Sequence, residues 1–336
     1  MYYKDSLRYR QGWLGIATLL ILLFHFPIKL RGLWALQTFG YGGVDICLFA
    51  SGAGCFFSLC GNGDVGAFLK RRLHRLAPAC ILTIGFWLVF RFVIGQFDTP
   101  MAIGNLLGLQ SFTNRGLEFN WYISAILLFY FLAPYLKVGA ERFSPVGKVL
   151  LLLFLLICTV PFWNVNGYMI IVTRLPIFYA GMLLGDLSMR SVQVKRSHII
   201  WMALSFVIGV LTLRFCYWNL TPYLWSHGLF WLPFLLIVPP VCIGLSIFLA
   251  LLQKGKGIRL IPTFLARVGN YSLELYLMQV LWVVMTPTFI NKFRLQAHSN
   301  AVWIAGVGAV ILGSLILKQC TKVLDRYSHK KARTIN

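Results

Sequence analysis

Acidic side chains are scarce in this sequence. Nine Asp and Glu stand against 31 Lys and Arg in 336 residues, and the charged types together make up only 12% of the chain. With 59% hydrophobic residues and a mean hydropathy of +0.75, this excludes an ordinary soluble domain, which could not hide so much apolar surface. The eight cysteines show no C-x-x-C pair and no metal-type spacing, so disulfide-scaffold and zinc-module readings fall away and no metal is expected. Cys47, Cys55, Cys80, Cys158, Cys216, Cys242 and Cys320 lie in apolar segments, where they act as small hydrophobes. No internal repeat, low-complexity tract or polar stretch of domain size separates the apolar runs. The basic-then-apolar N-terminus has no small-residue cleavage site; Pro27, Lys29 and Arg31 follow instead, so it reads as an uncleaved first helix.

What remains is an all-α polytopic membrane protein, a single domain over residues 1–336 with no appended soluble domain. About ten spans are expected, near 13–29, 38–59, 76–96, 120–136, 147–163, 168–187, 198–216, 228–252, 268–290 and 301–320. The stretch 100–112 is too short to cross and reads as an interfacial or re-entrant piece, and a break is expected near Asn164 and Asn166. The net charge of +22 invites a nucleic-acid reading, but its distribution argues against one. With both termini cytoplasmic, 23 of the 31 basic residues fall on inner segments, which is the positive-inside pattern. Part of that excess meets anionic membrane lipid.

Three segments carry chemistry. In WLGIATLLILLFHFPI (13–28) the lone ionisable residue is His25, about 18 Å along a helix from Trp13. A neutral imidazole in a span serves either as a general base on a hydroxyl or as a hydrogen-bonding contact between helices. Asp45, in GGVDICLFASGAG (42–54), either orients that imidazole or caps its own helix. Gly52, seven residues on, shares its face with Asp45 and allows close helix approach. In KRRLHR (70–75), Arg71 and Arg75 share one helix face and Arg72 flanks it. That cluster suits a polyphosphate or serves as a topological anchor.

In sequence order, LLILLFHF (19–26), GGVDICLFASG (42–52), FLKRRLHRLAPA (68–79), NWYISAILLFYFLAPYL (120–136), RLPIFYAGMLLG (174–185) and VGNYSLELYLMQ (268–279) resemble the signatures of the integral membrane acyltransferase-3 family. The resemblance implies ten core helices and transfer of an acyl group, taken as acetyl, from cytoplasmic acyl-CoA to a hydroxyl of a saccharide or glycolipid. It implies that His25 is the catalytic base, with Asp45 beside it. Arg71, Arg72 and Arg75 fall to the acyl-CoA side. Trp121 joins the functional set, and Glu118, Tyr122, Arg174 and Tyr276, in or beside these motifs, are the acceptor-side candidates. A bacterial cytoplasmic membrane is the expected location.

Two positions depart from the family pattern. Leu14 stands where an arginine is usual, with Arg10 one turn earlier, and Gln279 stands where the ninth-helix motif often ends in histidine. A proton-coupled transporter using His25, Asp45, Arg174 and Glu274 is the alternative reading. Tryptophan placement adds one more expectation. Trp34, Trp121, Trp163, Trp218, Trp225 and Trp303 fall toward the outer boundary, against Trp13 and Trp201 at the inner one. That bias fits either an outer saccharide site or uneven interface anchors.

Overall fold

The computed structural model describes residues 2–62, 64–112, 121–162, 165, 168–255 and 259–334. Apolar sequence in lipid must satisfy its own backbone, and helices do so segment by segment. Among the described residues there is accordingly no β-strand, only an isolated antiparallel bridge between Tyr2 and Gln193. The principal helices are α1 (Arg10–His25), α2 (Gly42–Asn62), α3 (Val65–Val93), α4 (Trp121–Arg142), α5 (Pro145–Ile157), α6 (Leu175–Met189), α7 (Arg196–Asn219), α8 (Leu232–Lys254), α9 (Ser272–Lys292) and α10 (Ser299–Thr334). Among the described residues nine helical segments are long and apolar enough to cross a membrane.

The first expected span is the exception. α1 begins at Arg10 and stops at His25 after 16 residues, about 24 Å, instead of running to residue 29. The cause is local. Pro27 bars its predecessor from the helical region, and Phe26 is extended at φ −77°, ψ 117°. Gln37 then pins the emerging chain, donating through Nε2 to Phe26 O (2.6 Å) and Ile28 O (2.9 Å) and accepting from Leu30 N (3.2 Å). His25 therefore sits at a helix C-terminus rather than within a span.

Other boundaries differ in instructive ways. α3 starts eleven residues before its expected limit, capped by Asp64, which accepts from Gly66 N at 2.8 Å. The basic cluster thus lies inside the helix, not at its entrance. At 29 residues α3 is about 43 Å long, which exceeds a hydrocarbon core of about 30 Å and lets its basic first turns project beyond it. The segment 100–112 forms a short helix, Thr99–Leu106, capped by Asp98, followed by a 3₁₀ turn, Gln110–Phe112. The break expected at Asn164 and Asn166 lies outside the described residues. A second interruption separates the half-helix Tyr168–Val172 from α6, with Arg174 at the joint and Pro176 just after it. Likewise Tyr271 divides Leu260–Asn270 from α9.

Glycine sets the core spacing. A Cβ on Gly52 of α2 would strike the Phe178 carbonyl of α6, and one on Gly181 of α6 would strike the Phe49 carbonyl of α2. The same reciprocal contact joins α1 to Leu260–Asn270, where Gly15 faces the Leu265 carbonyl and Gly269 faces the Gln11 carbonyl. Such contacts let backbones approach where lipid supplies no hydrophobic force between helices. α2 and the Tyr168–Met189 segment are the most enclosed, whereas α5, α7 and α10 present long apolar faces outward.

Both termini lie at one end of the bundle. Tyr3 N donates to Val192 O (3.1 Å), Tyr9 Oη donates to Gln253 (2.9 Å), and His74 of α3 faces Asp325 of α10 (3.8 Å). We call this the basic end. The opposite, aromatic end gathers Trp34, Tyr41, Tyr217, Trp225 and Phe230. Trp13, expected at an interface, is instead fully buried and donates to Ser246 Oγ at 2.9 Å.

Candidate active site

At the basic end three arginines converge from two helices. Arg10 of α1 donates through Nε to Ala50 O (3.0 Å). Arg72 of α3 donates to Gly54 O (2.6 Å), its guanidinium 5.5 Å from the Phe68 ring centroid and 5.6 Å from that of Tyr130. Gly54 leaves room for Arg10, since a Cβ there would lie 2.9 Å from Arg10 Nη2 and displace the guanidinium. Arg10, Arg72 and Arg75 line one narrow cavity of about 80 Å³, together with Ser51, Tyr122 and Tyr130.

The expected arginine trio is thereby split. Arg71 turns away, donating to Ser58 O (3.3 Å), and lines an adjoining basin with His74, Arg75, Lys318 and Lys322; Arg75 belongs to both spaces. Arg10 takes the place beside Arg72. Leu14, the departure noted in the sequence, lines the same cavity one turn along.

The inner cavity shares Ile21, Val44 and Tyr276 with a second one of about 200 Å³, whose walls include His25, Trp121, Arg174, Trp225 and Phe230. That one shares Phe24, Tyr41, Trp225 and Phe230 with a third, of about 400 Å³, at the aromatic end, lined also by Trp34, Gln37 and Tyr217. Three cavities thus form a row from the arginines to the aromatic basin, each larger in volume than the last, with His25 between the two ends.

His25 is held at Nδ1. Ile21 O lies 3.0 Å from that nitrogen and Gln279 Nε2 lies 2.8 Å from it; Gln279 Nε2 also donates to Ile21 O at 2.9 Å. No hydrogen bond or ion pair joins Asp45 to His25 among the described residues. The partner of Asp45 is Arg174, with Nε 3.4 Å from Oδ1, and both side chains are essentially inaccessible. At 3.4 Å this is an ion pair rather than a well-made hydrogen bond. The guanidinium lies between two rings, 4.8 Å from the centroids of both Trp121 and Phe230. Asp45 thus pairs with Arg174, and Gln279 is the side chain in contact with the His25 ring.

Of the acceptor-side candidates, Trp121, Arg174 and Tyr276 line the His25 cavity. Tyr122 lines the arginine cavity instead, its ring 5.0 Å from that of Tyr276, so it stands toward the basic end. Glu118 lies outside the described residues. Two wall residues, Tyr41 and Phe230, carried no sequence signal, since an aromatic ring within an apolar run looks like core. Gln279 did carry one, a polar side chain within an apolar helix, but its partner lies 254 positions away in sequence.

Together these features define a polytopic helical membrane protein with a histidine-bearing cavity that adjoins an arginine-lined one at the basic end. The chain belongs to the acyltransferase-3 family: the family model described as an acyltransferase domain matches residues 13–319. It is therefore a membrane acyltransferase. No curated protein and no solved structure matches it.

Proposed function

We propose that the protein moves an acetyl group from acetyl-CoA, bound at the basic end, to a hydroxyl of a saccharide or glycolipid entering from the aromatic end. The observation that carries this reading is the row of cavities, cationic at one end, aromatic at the other, with His25 between them. Arg10, Arg72 and Arg75, with the adjoining Arg71, Lys318 and Lys322, suit a polyphosphate through charge-assisted hydrogen bonds. Fifteen residues of helix separate Arg10 from His25, about 22 Å, a distance for a long arm bearing a thioester rather than for a compact donor. The inner cavity is small, about 80 Å³, which fits part of an arm and not a nucleotide. Flat rings with polar edges, as in Trp34, Tyr41 and Trp225, suit the mixed faces of a sugar.

The chemistry is a proton transfer coupled to acyl exchange. The neutral His25 imidazole takes the acceptor hydroxyl proton as that oxygen attacks the thioester carbonyl carbon. The tetrahedral adduct then collapses, the C–S bond breaks, and the departing thiolate takes the proton back from the imidazolium. The ester and the free thiol leave at opposite ends. On this reading the protein sits in a bacterial cytoplasmic membrane with its basic end and both termini in the cytoplasm.

The test is the purified protein in liposomes with isotopically labelled acetyl-CoA, and products read by mass spectrometry against the His25→Ala variant. Acetylated saccharide or glycolipid from the native protein, and none from a properly inserted variant, is the expected result. Turnover in His25→Ala close to the native rate overturns the assignment of the base.

A further inference from the structure

A fourth cavity, of about 300 Å³, lies outside the row, between α1, the Leu260–Asn270 helix, α9 and α10. Its polar wall residues have turned inward on the protein. Thr18 Oγ1 donates to Leu14 O (2.7 Å), Ser314 Oγ donates to Val310 O (2.6 Å) and Gln279 Nε2 donates to Ile21 O (2.9 Å). The hydroxyl protons are thus spent, and the space suits hydrocarbon. Thr18, Val310 and Ser314 are buried at its floor, whereas Phe264, Ile311 and Leu315 at its rim are exposed. The mouth therefore opens on the outward, apolar face of the bundle.

The cavity runs from the basic end inward. Tyr271 marks the basic end: Lys318 Nζ stands 5.0 Å from its ring centroid, and Gly269 packs on the Gln11 carbonyl. Leu22, also in the wall, stands eleven residues along α1 from Gln11, about 16 Å. Arg267 lines the cavity one helical turn before Tyr271, exposed, with no ion pair or hydrogen bond among the described residues. Nor has the protein a carboxylate to spare. Of the nine acidic residues, Glu118 lies outside the described residues, and the other eight are engaged elsewhere. Asp45, Glu141, Asp186 and Glu274 pair with Arg174, Lys137, Lys148 and Lys318. Asp5 faces Arg8, Asp325 faces His74, and Asp64 and Asp98 cap helices.

We propose that this cavity holds one acyl chain of an anionic phospholipid from the leaflet at the basic end, with the lipid phosphate on Arg267. Hydrocarbon fills the wall without asking for hydrogen bonds, and a guanidinium matches a phosphate through paired N–H donors. The excess of basic residues at this end favours anionic over zwitterionic headgroups. Inside, the chain packs against Thr18 and Gln279, which also line the arginine cavity.

The experiment is native mass spectrometry of the protein released from vesicles of equimolar dioleoyl phosphatidylglycerol and dioleoyl phosphatidylcholine, with retained lipids counted and identified. The native protein should keep one phosphatidylglycerol after loosely held lipid is stripped. Arg267→Gln, an exposed change, should lower the ratio of retained phosphatidylglycerol to phosphatidylcholine about five-fold, the effect of one basic side chain on an anionic headgroup. Ser314→Phe fills the floor and Ile311→Trp fills the mouth; each should abolish retention, and the rim variant guards against misfolding of the floor variant. No lipid on the native protein, equal retention of the two lipids, or retention unchanged in both filled variants overturns the proposal. Displacement of the lipid by equimolar oleoyl-CoA overturns it too, because the cavity would then belong to the tail of a donor. None of these readouts involves acyl transfer, so failure of the proposed reaction leaves them standing.

Discussion

Removing the Asp45 carboxylate should destabilise the protein severely, and removing Arg174 with it should restore most of the loss. Asp45 and Arg174 form a buried pair at 3.4 Å, and the guanidinium has little other compensation: one long bond from Nη1 to Ile170 O (3.4 Å) and two aromatic faces. Asp45→Ala leaves that cation uncompensated, which costs about 3–5 kcal/mol. The rings of Trp121 and Phe230 offset part of this, because a desolvated cation–π contact contributes roughly 2 kcal/mol. A net loss of about 1–3 kcal/mol is therefore expected. Arg174→Met alone should cost a similar amount by stranding the carboxylate. The pair Asp45→Leu with Arg174→Met removes both charges, and replacing a buried ion pair by apolar groups is often nearly neutral. The double variant should thus be more stable than either single one, with a coupling of at least about 2 kcal/mol. Equilibrium unfolding of the four proteins in one bilayer or detergent system measures the cycle. Additive losses would refute the pairing. So would an Asp45→Ala protein of native stability that has merely lost activity, because that would return Asp45 to the chemistry of His25.

Three further outcomes follow from the cavities and their ends. Arg10→Gln and Arg75→Gln should each raise KM for acetyl-CoA about ten-fold, as expected for losing a charge-assisted contact of about 1.5 kcal/mol, and Lys at either position should recover only part; unchanged donor affinity in both would make these residues anchors. Trp225→Ala, which opens the wall between the middle and outer cavities, should raise the acceptor requirement at saturating acetyl-CoA, and an unaltered acceptor dependence would remove the saccharide reading of the aromatic end. Reporter fusions at Asn336 and beside Ser191 should read cytoplasmic and one at Gln296 should read external; an external C-terminus would put the arginine cavity on the wrong side for cytoplasmic acyl-CoA.

The helices were legible because apolar run length is a one-dimensional quantity, and most expected limits fall within a turn or two of the observed ones. What hydropathy could not resolve was interruption. The run 13–28 is apolar throughout, yet α1 ends at His25 because Pro27 dictates the conformation of Phe26. The run 168–187 hides the joint at Thr173 and Arg174 in the same way. The small-residue face of α2 was read correctly as a close-packing surface, but its partner on α6, through Gly181 and Phe178, is a tertiary fact. The site was legible by residue type and not by pairing. His25, Asp45 and Arg174 were all singled out, but the two readings open for Asp45, orienting His25 or capping its own helix, did not include its pairing with Arg174. Depth along two helices says that groups lie at similar heights, but not which faces turn toward each other.

The interruptions also bear on how polar residues in an apolar run should be read. Each break releases backbone carbonyls and amides that lipid cannot satisfy, and nearby side chains must take them up. Gln37 does nothing else: both amide hydrogens go to Phe26 O and Ile28 O, and its oxygen accepts from Leu30 N. Both amide hydrogens and one oxygen lone pair are spent on the backbone, so although it lines the outer basin it keeps a single acceptor site for a substrate. His25 and Arg174 also sit at breaks and also touch backbone, at Ile21 O and Ile170 O. They differ in having capacity left over. His25 keeps Nε2 without a polar partner among the described residues, Arg174 Nε has only the 3.4 Å ion pair to Asp45, and both residues line the same cavity. Burial and polarity alone would rank Gln37 and His25 together. Unused hydrogen-bonding capacity facing a cavity separates the residue that repairs the chain from the residue that can act on a ligand.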